Sequence, residues 1–131
     1  MLNISQIKET CLYVKDLALT SAFYHDKLGL DIIAEVENRH IFFRAGQSVL
    51  LCFIAETTEK ALDIPPHGAT GSIHFAFEIE EGGYDQAQNH IIKQNIPIIH
   101  QQVWKHRKRS FYFHDPDGHL VEIVEQGLWT G

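Results

Sequence analysis

The segment FYFHDPDGHLVE, from Phe111 to Glu122, places a carboxylate in what reads as a buried strand. Two apolar stretches flank the turn DPDG, and Glu122 stands in the second of them, between Val121 and Ile123. A glutamate in such a strand is costly unless it is paired with a cation, exposed to water or bound to a metal ion. Glu122 is therefore the first candidate for chemistry, and the rest of the chain must supply its partner.

Basic residues are one kind of partner for this carboxylate. The run KHRKR, Lys105 to Arg109, comes just before the same segment, and Arg44 is a further cation that could pair with Glu122. The run reads either as a solvated loop or as a patch that draws an anionic substrate towards a nearby site.

Length and composition describe an ordinary globular protein. The chain has 131 residues, 44% of them hydrophobic and 21% charged, which suits one domain or two small halves that share a core. A net charge of −6 argues against a general nucleic-acid binder. No membrane-spanning run or secretory signal is visible, and Cys11 and Cys52 do not make a disulfide framework. We therefore expect a cytoplasmic protein with no nucleic-acid or membrane partner.

The order of the predicted elements repeats along the chain. Each copy reads as a strand, a helix and three further strands. The first copy spans about residues 7–55, a linker with Pro and Gly spans about 56–70, and the second copy spans about 71–125. The first helix is predicted over residues 17–28, with Asp16 as its N-cap and Gly29 as its stop.

The two-residue period of a strand separates the side that faces a helix from the opposite side. Since one helix covers only one face of a sheet, the other faces must meet each other or line a cleft. On that other side we expect Glu9 and Cys52 in the first copy and His74 and Glu122 in the second. Tyr112 would line the wall of the same cleft, where its hydroxyl could reach a substrate.

Three segments resemble the vicinal oxygen chelate superfamily, which includes glyoxalase I, fosfomycin-resistance proteins, bleomycin-resistance proteins and extradiol dioxygenases. They are LYVKDLALTSAFYHDKLGL near the start, GSIHFAFEI in the middle and SFYFHDPDGHLVEIVE at the end. The resemblance covers about residues 7–125. It implies that residues 1–131 form a single glyoxalase-like domain of the α+β class. In that fold, paired βαβββ modules have curved mixed sheets that enclose a concave site, with the helices on the outside.

The resemblance also implies three metal ligands. A ligand on the first strand of module one corresponds to Glu9, where relatives more often have His or Gln. A His on the first strand of module two corresponds to His74, and a Glu on the last strand corresponds to Glu122. Glyoxalase I has a fourth ligand, a Glu on the last strand of module one, and that position corresponds to Cys52 here. Fosfomycin-resistance relatives also have a cysteine there, which is not a ligand. Three ligands would leave positions open for water and substrate.

The chemistry of this set agrees with a divalent ion. Two carboxylates and a neutral imidazole carry two negative charges, and without an ion the carboxylates would repel each other. Oxygen-rich ligation favours Mn²⁺, Mg²⁺, Ni²⁺, Zn²⁺ or Fe²⁺ over Cu(I). The single His is unlike the two His of the iron-dependent extradiol dioxygenases. We expect a divalent metal cofactor, without assigning its identity.

Three functions follow from the resemblance. A glyoxalase-like lyase would hold two neighbouring oxygens of a small substrate on the ion and stabilise an oxyanion, with Glu122 or Glu9 moving the proton and Tyr112 beside the substrate. A fosfomycin-resistance enzyme would add a thiol or water to an epoxide. A bleomycin-resistance-like protein would bind a small molecule without metal. Because the fourth Glu is missing and no arginine follows the last strand, we expect weak or absent activity on glutathione hemithioacetal and on fosfomycin.

The linker bears on assembly. It has about fifteen residues and contains Pro65 and Pro66, which is long for a tight connection. Such a linker would let the second module of one chain pair with the first module of another. We expect a two-fold homodimer, in which Glu9 comes from one chain while His74 and Glu122 come from the other. The alternative is a monomer whose two modules pair within one chain.

Overall fold

The computed structural model describes residues 1–129, which form two four-stranded mixed sheets. The chain divides into two compact units, Met1–Gly71 and Ser72–Gly131, with one sheet in each. In both sheets the first strand of the unit pairs in parallel with the last, and the remaining pairs are antiparallel. The predicted α+β fold of paired βαβββ modules is confirmed. That the whole chain works as one domain stays a prediction.

The two units share an order of elements, one strand, one helix and three strands, to which unit one adds a short helix and unit two a 3-10 turn. Those of unit one are β1 (Glu9–Tyr13), α1 (Leu17–Ser21) with a π-helical continuation (Ala22–Lys27), β2 (Ile32–Val36), β3 (His40–Ala45), β4 (Ser48–Phe53) and α2 (Ala55–Thr58). Those of unit two are β5 (His74–Ile79), α3 (Tyr84–Lys93), β6 (His100–Val103), a 3-10 turn (Lys105–Arg107), β7 (Arg109–His114) and β8 (Leu120–Glu125). The strands lie side by side as β1-β4-β3-β2 and β5-β8-β7-β6. None of the helices within residues 1–129 is long and apolar enough to cross a membrane.

The first helix begins and ends where the sequence predicts. The carboxylate of Asp16 accepts hydrogen bonds from the backbone N–H groups of Ala18 and Leu19, at 2.8 and 3.2 Å. Gly29 ends the helix with a φ of +86°, a conformation that glycine adopts without strain. The helix widens into a π-helical segment after Ser21, which the sequence pattern did not predict. The wider turn buries the consecutive side chains of Phe23 and Tyr24.

Each helix packs on one face of its own sheet. In unit one, Tyr24 contacts Phe43, with ring centroids 5.6 Å apart. In unit two, Tyr84 of α3 contacts Phe111 edge-on at 5.4 Å. Phe43 and Phe111 are fully buried, so these faces form the core of each unit. The opposite face of each sheet is not covered by the helix of its unit, and we call it the helix-free face.

The register of β4 corrects one prediction from the sequence. Cys52 is fully buried and pairs with Leu12 on β1 and Ile41 on β3, so it lies on the face that packs against the helix. Its neighbour Leu51 occupies the helix-free face, in register with Cys11 of β1. The expectation that Cys52 shares a face with Glu9 was therefore wrong.

The cause of the error is the length of one hairpin. Arg44 pairs with Val49 in unit one, whereas His114 pairs with Leu120 in unit two, so the second hairpin has one more residue. Aligning the hairpins without a gap shifts the last strand by one residue, and a shift of one residue moves every side chain to the other face. The position in unit one that corresponds to Glu122 is thus Leu51.

Candidate functional site

The helix-free face of the second sheet carries a row of polar side chains. Glu122 on β8 lies in register with Tyr112 on β7, which lies in register with His100 on β6. On the other side, Glu122 pairs with Ala76 of β5, two residues after His74. All of the strands of this sheet therefore bring side chains to the same part of the face, and these residues form our candidate site.

The partner of Glu122 is His74. Nε2 of His74 lies 3.1 Å from Oε1 of Glu122, and only 7% of the Glu122 surface is exposed. Nδ1 of His74 donates a hydrogen bond to the backbone carbonyl of Leu120, at 3.1 Å. A proton on Nδ1 leaves the lone pair of the neutral ring on Nε2, which is the usual arrangement for a histidine that binds a metal ion.

This arrangement requires a positive charge between the two side chains. A lone pair on Nε2 and a carboxylate oxygen repel each other at 3.1 Å unless a proton or a metal ion lies between them. Neighbouring ligand atoms on an ion with bonds of about 2.1 Å are separated by about 3.0 to 3.4 Å. The spacing of His74 and Glu122 thus fits two adjacent positions of a coordination shell.

Tyr112 lies beside this pair as a hydrogen-bond donor. Its ring centroid is 5.9 Å from that of His74. Burial raises the pKa of Tyr112, and the charge and hydrogen bond of Glu122 raise it further, against the opposite effect of a hydrogen bond with Ser110. The phenol keeps its proton at neutral pH and can donate a hydrogen bond to an oxygen that gains negative charge.

Glu9, the third predicted ligand, lies in unit one. It is exposed at the start of β1 and pairs with Val49. Within the described part of the chain, residues 1–129, no group of three or more His, Cys, Asp or Glu side chains is placed to hold a metal ion. The structure thus brings His74, Glu122 and Tyr112 together, while the role of Glu9 stays a prediction.

Two residues of the basic run Lys105–Arg109 are engaged with acidic and aromatic side chains. Arg109 donates from Nε to the buried carboxylate of Glu125, at 3.1 Å, and its guanidinium lies 4.1 Å from the ring centre of Tyr84. Lys108 pairs with Glu81, with Nζ and Oε1 3.2 Å apart. Arg109 and Lys108 therefore stabilise unit two, which limits the proposed anion patch to the tip of the β6–β7 hairpin.

Two further polar residues of this face, His100 and Gln102 on the edge strand β6, were not predicted from the sequence. Nε2 of His100 lies 2.9 Å from Oε1 of Gln102, and the His100 ring centroid is 5.6 Å from that of Tyr112. The signal that could have revealed them is the two-residue spacing in HQQV, which puts His100 and Gln102 on one face. The pairing of β6 with β7 then decides which face that is.

The helix-free face of unit one has a different character, because aromatic rings dominate it. Phe53 contacts Phe42 at 5.3 Å and His40 at 5.9 Å, between ring centroids. His67, from the linker, approaches Phe53 to 4.6 Å, and its Nδ1 lies 2.6 Å from the hydroxyl oxygen of Tyr13. His67 therefore anchors its part of the linker to this face.

Comparison with known proteins agrees with this description. A model of the Glyoxalase/Bleomycin resistance protein/Dioxygenase superfamily matches residues 6–123. The metallothiol transferase FosB of Staphylococcus saprophyticus is 31% identical over 122 residues, which are 92% of this chain and 76% of FosB. The glutathione transferase FosA of Serratia marcescens is 26% identical over 123 residues, which are 92% of this chain and 80% of FosA.

A solved structure is similar over the full length. The crystal structure of lactoylglutathione lyase from Agrobacterium tumefaciens superposes with a TM-score of 0.93 and 34% identity, over 99% of this chain and 100% of that one. The protein therefore belongs to the glyoxalase, bleomycin-resistance and dioxygenase superfamily, which is the vicinal oxygen chelate superfamily that its sequence resembles.

Proposed function

We propose that this protein is a metal-dependent, glyoxalase-like enzyme that acts on a small substrate bound through two neighbouring oxygens. The observation that carries the proposal is the pair of His74 and Glu122, 3.1 Å apart, with the hydrogen bond to Leu120 leaving the lone pair of His74 on Nε2. The relatives support it, because their names describe a metallothiol transferase, a glutathione transferase and a lactoylglutathione lyase.

The residues that would hold the metal are His74, Glu122 and Glu9. Two carboxylates and one imidazole suit Mn²⁺, Mg²⁺, Ni²⁺, Zn²⁺ or Fe²⁺. A divalent ion in this place would act as a Lewis acid towards the oxygens of a substrate. We propose Glu9 as the ligand contributed by unit one, in keeping with its position on the first strand.

The other roles belong to side chains of the protein. Tyr112 donates a hydrogen bond to the substrate oxygen that gains negative charge, since a phenol carries its proton at neutral pH. The carboxylate of Glu122 or of Glu9 accepts the proton that leaves the substrate. A cytoplasmic location stays a prediction from the sequence.

Removal of metal tests the proposed function. Protein treated with a chelator should turn over neither candidate substrate, and any turnover should return only when a divalent ion is added back. Two substrates suit the test: the hemithioacetal of methylglyoxal with glutathione, and fosfomycin with a thiol. Metal-independent binding of a small molecule, with no uptake of any of the five ions, would favour the bleomycin-resistance-like alternative instead.

A second candidate function is thiol transfer to an epoxide, which the similarity to FosB favours. The two substrates distinguish it from the lyase. We expect weak or absent turnover of both, because Leu51 stands where glyoxalase I has its fourth carboxylate and residues 126–131, after β8, contain no arginine. Strong, metal-dependent turnover of either substrate would contradict that expectation and identify the reaction.

We further propose that the protein is a homodimer whose sites combine Glu9 of one chain with His74 and Glu122 of the other. Refolding a mixture of Glu9→Ala and His74→Ala chains tests this arrangement. In a mixed dimer one site is intact and the other lacks both residues, so up to about half of the dimers should regain tight metal binding on statistical grounds.

Each variant refolded alone is the control for the mixture, and neither should bind metal tightly. Light scattering gives the mass at micromolar concentration. A monomeric mass, or a mixture that binds no more metal than the separate variants, would contradict the shared site.

A further inference from the structure

The edge strand of the second sheet presents a second histidine to the candidate site. The ring of Tyr112 lies between two imidazoles on the same face, with centroids 5.9 Å from His74 and 5.6 Å from His100. His100 is exposed, since β6 is the last strand of its sheet. Glu122 and His100 lie in register on either side of Tyr112, so their Cα atoms are about 10 Å apart, two strand spacings.

Gln102 fixes the protonation of His100. The side-chain N–H₂ of Gln102 donates to the backbone carbonyl of Val103, at 3.3 Å, which turns the amide oxygen of Gln102 towards His100. That oxygen lies 2.9 Å from Nε2 of His100 and can only accept a hydrogen bond. In the neutral ring the proton is therefore on Nε2, and Nδ1 is the acceptor.

The two histidines are thus held in opposite tautomers. His74 has its proton on Nδ1 and its lone pair on Nε2, towards Glu122. His100 has its proton on Nε2 and its lone pair on Nδ1. The lone pair of His74, directed towards Glu122, suits a metal ligand. The lone pair on Nδ1 of His100, farther along the row, suits recognition of a hydrogen-bond donor.

We propose that His100, held by Gln102, is a specificity-determining residue that accepts a hydrogen bond from a hydroxyl group on the far part of the substrate. This inference rests on the proposed function, because it assumes that two substrate oxygens bind at the His74–Glu122 end of the row. It narrows the substrate to small polyoxygenated molecules. Such a molecule carries two oxygens on neighbouring carbon atoms at one end and a hydroxyl donor at the other end, about the length of a six-membered ring away.

A matched pair of chelators tests the proposal. Kojic acid and allomaltol both offer a neighbouring hydroxyl and ketone oxygen, and they differ only in the far substituent, which is hydroxymethyl in kojic acid and methyl in allomaltol. Metal-loaded protein should bind kojic acid about five to ten times more tightly than allomaltol, the usual effect of one added hydrogen bond. Calorimetry or the absorbance of the hydroxypyranone gives both affinities without any assay of turnover.

Two substitutions connect this preference to His100. His100→Leu should abolish the preference while leaving the affinity for metal unchanged, because the residue is exposed and is not one of the proposed metal ligands. Gln102→Leu should weaken the preference, since the ring is then free to change tautomer. Gln102→Glu should also weaken it, because a carboxylate beside Nε2 favours the doubly protonated ring, in which Nδ1 no longer accepts a hydrogen bond.

The alternatives give different results. Equal affinities for the two pyranones in the wild-type protein, or a preference that survives in His100→Leu, would overturn the role of His100 and leave the metal site intact. Stronger binding of comenic acid, which has a carboxylate in place of the hydroxymethyl group, would overturn the donor assignment in favour of a protonated, anion-binding His100. If metal-loaded protein binds none of the three, both the proposed function and this inference fail.

Discussion

Replacing His74 with alanine should weaken the binding of a divalent ion about a thousandfold. Changes to groups that only orient a ligand cost tenfold to a hundredfold in affinity, so loss of the ligand itself should cost more. The remaining carboxylate of Glu122 would also lose the side chain that lies 3.1 Å from it. Calorimetric titration of chelator-treated protein with Mn²⁺, Ni²⁺, Zn²⁺ and Fe²⁺ measures the effect.

His25→Ala is the matched control for this variant. His25 is an exposed histidine whose Nδ1 lies 2.7 Å from the carbonyl of Leu30, much as Nδ1 of His74 lies near that of Leu120. It lies in unit one, outside the candidate site, so its loss should leave metal affinity within about twofold. Unchanged affinity in His74→Ala, or an equal loss in His25→Ala, would remove the basis for the site.

Glutamate at position 52 should destabilise the protein far more than glutamate at position 51. Cys52 is fully buried between Leu12 and Ile41 on the helix side of the sheet, where a carboxyl group cannot reach solvent. We expect Cys52→Glu to lower the free energy of unfolding by about 4 kcal/mol or more. Leu51 is also buried, at 8% exposure, but its side chain is on the helix-free face, so Leu51→Glu should cost less: the apolar contacts of leucine, about 2 kcal/mol, and part of the cost of removing a carboxylate from water.

Unfolding by urea, with and without metal, distinguishes the two positions. Leu51→Glu adds a carboxylate to the face that carries Glu9, so saturating metal should stabilise this variant more than the wild type. Metal should not stabilise Cys52→Glu more than it stabilises the wild type. Cys52→Ser and Leu51→Gln are the matched controls, since they change polarity without adding a charge. Equal loss of stability in the two glutamate variants, with no stabilisation of Leu51→Glu by metal, would contradict the predicted difference between the two positions.

The sequence was sufficient for the part of the site that lies on neighbouring strands. His74 and Glu122 each stand in a strand with a clear two-residue pattern, and the family resemblance indicates that these strands pair. Nothing further is needed to put both side chains on one face. The order of helices and strands was predictable for the same reason, since each element shows its own period.

Features that depend on the exact register or order of the strands were not predictable. The face of Cys52 depends on one residue in a hairpin, which sequence periodicity does not detect. The place of His100 depends on β6 being an edge strand in register with Tyr112, which is a property of the sheet. Arg109 looked like a solvated charge because its carboxylate partner, Glu125, comes sixteen residues later.

The position of His74 and Glu122 on adjacent strands also concerns folding. The carbonyl that holds His74 belongs to Leu120, forty-six residues further along the chain, so β5 and β8 close nearly the whole of unit two into a loop. An ion shared by His74 and Glu122 would be a cross-link across that loop, and its binding energy would add to the stability of the closed form. A cell short of the metal would then lose the protein itself through unfolding and proteolysis, as well as its activity.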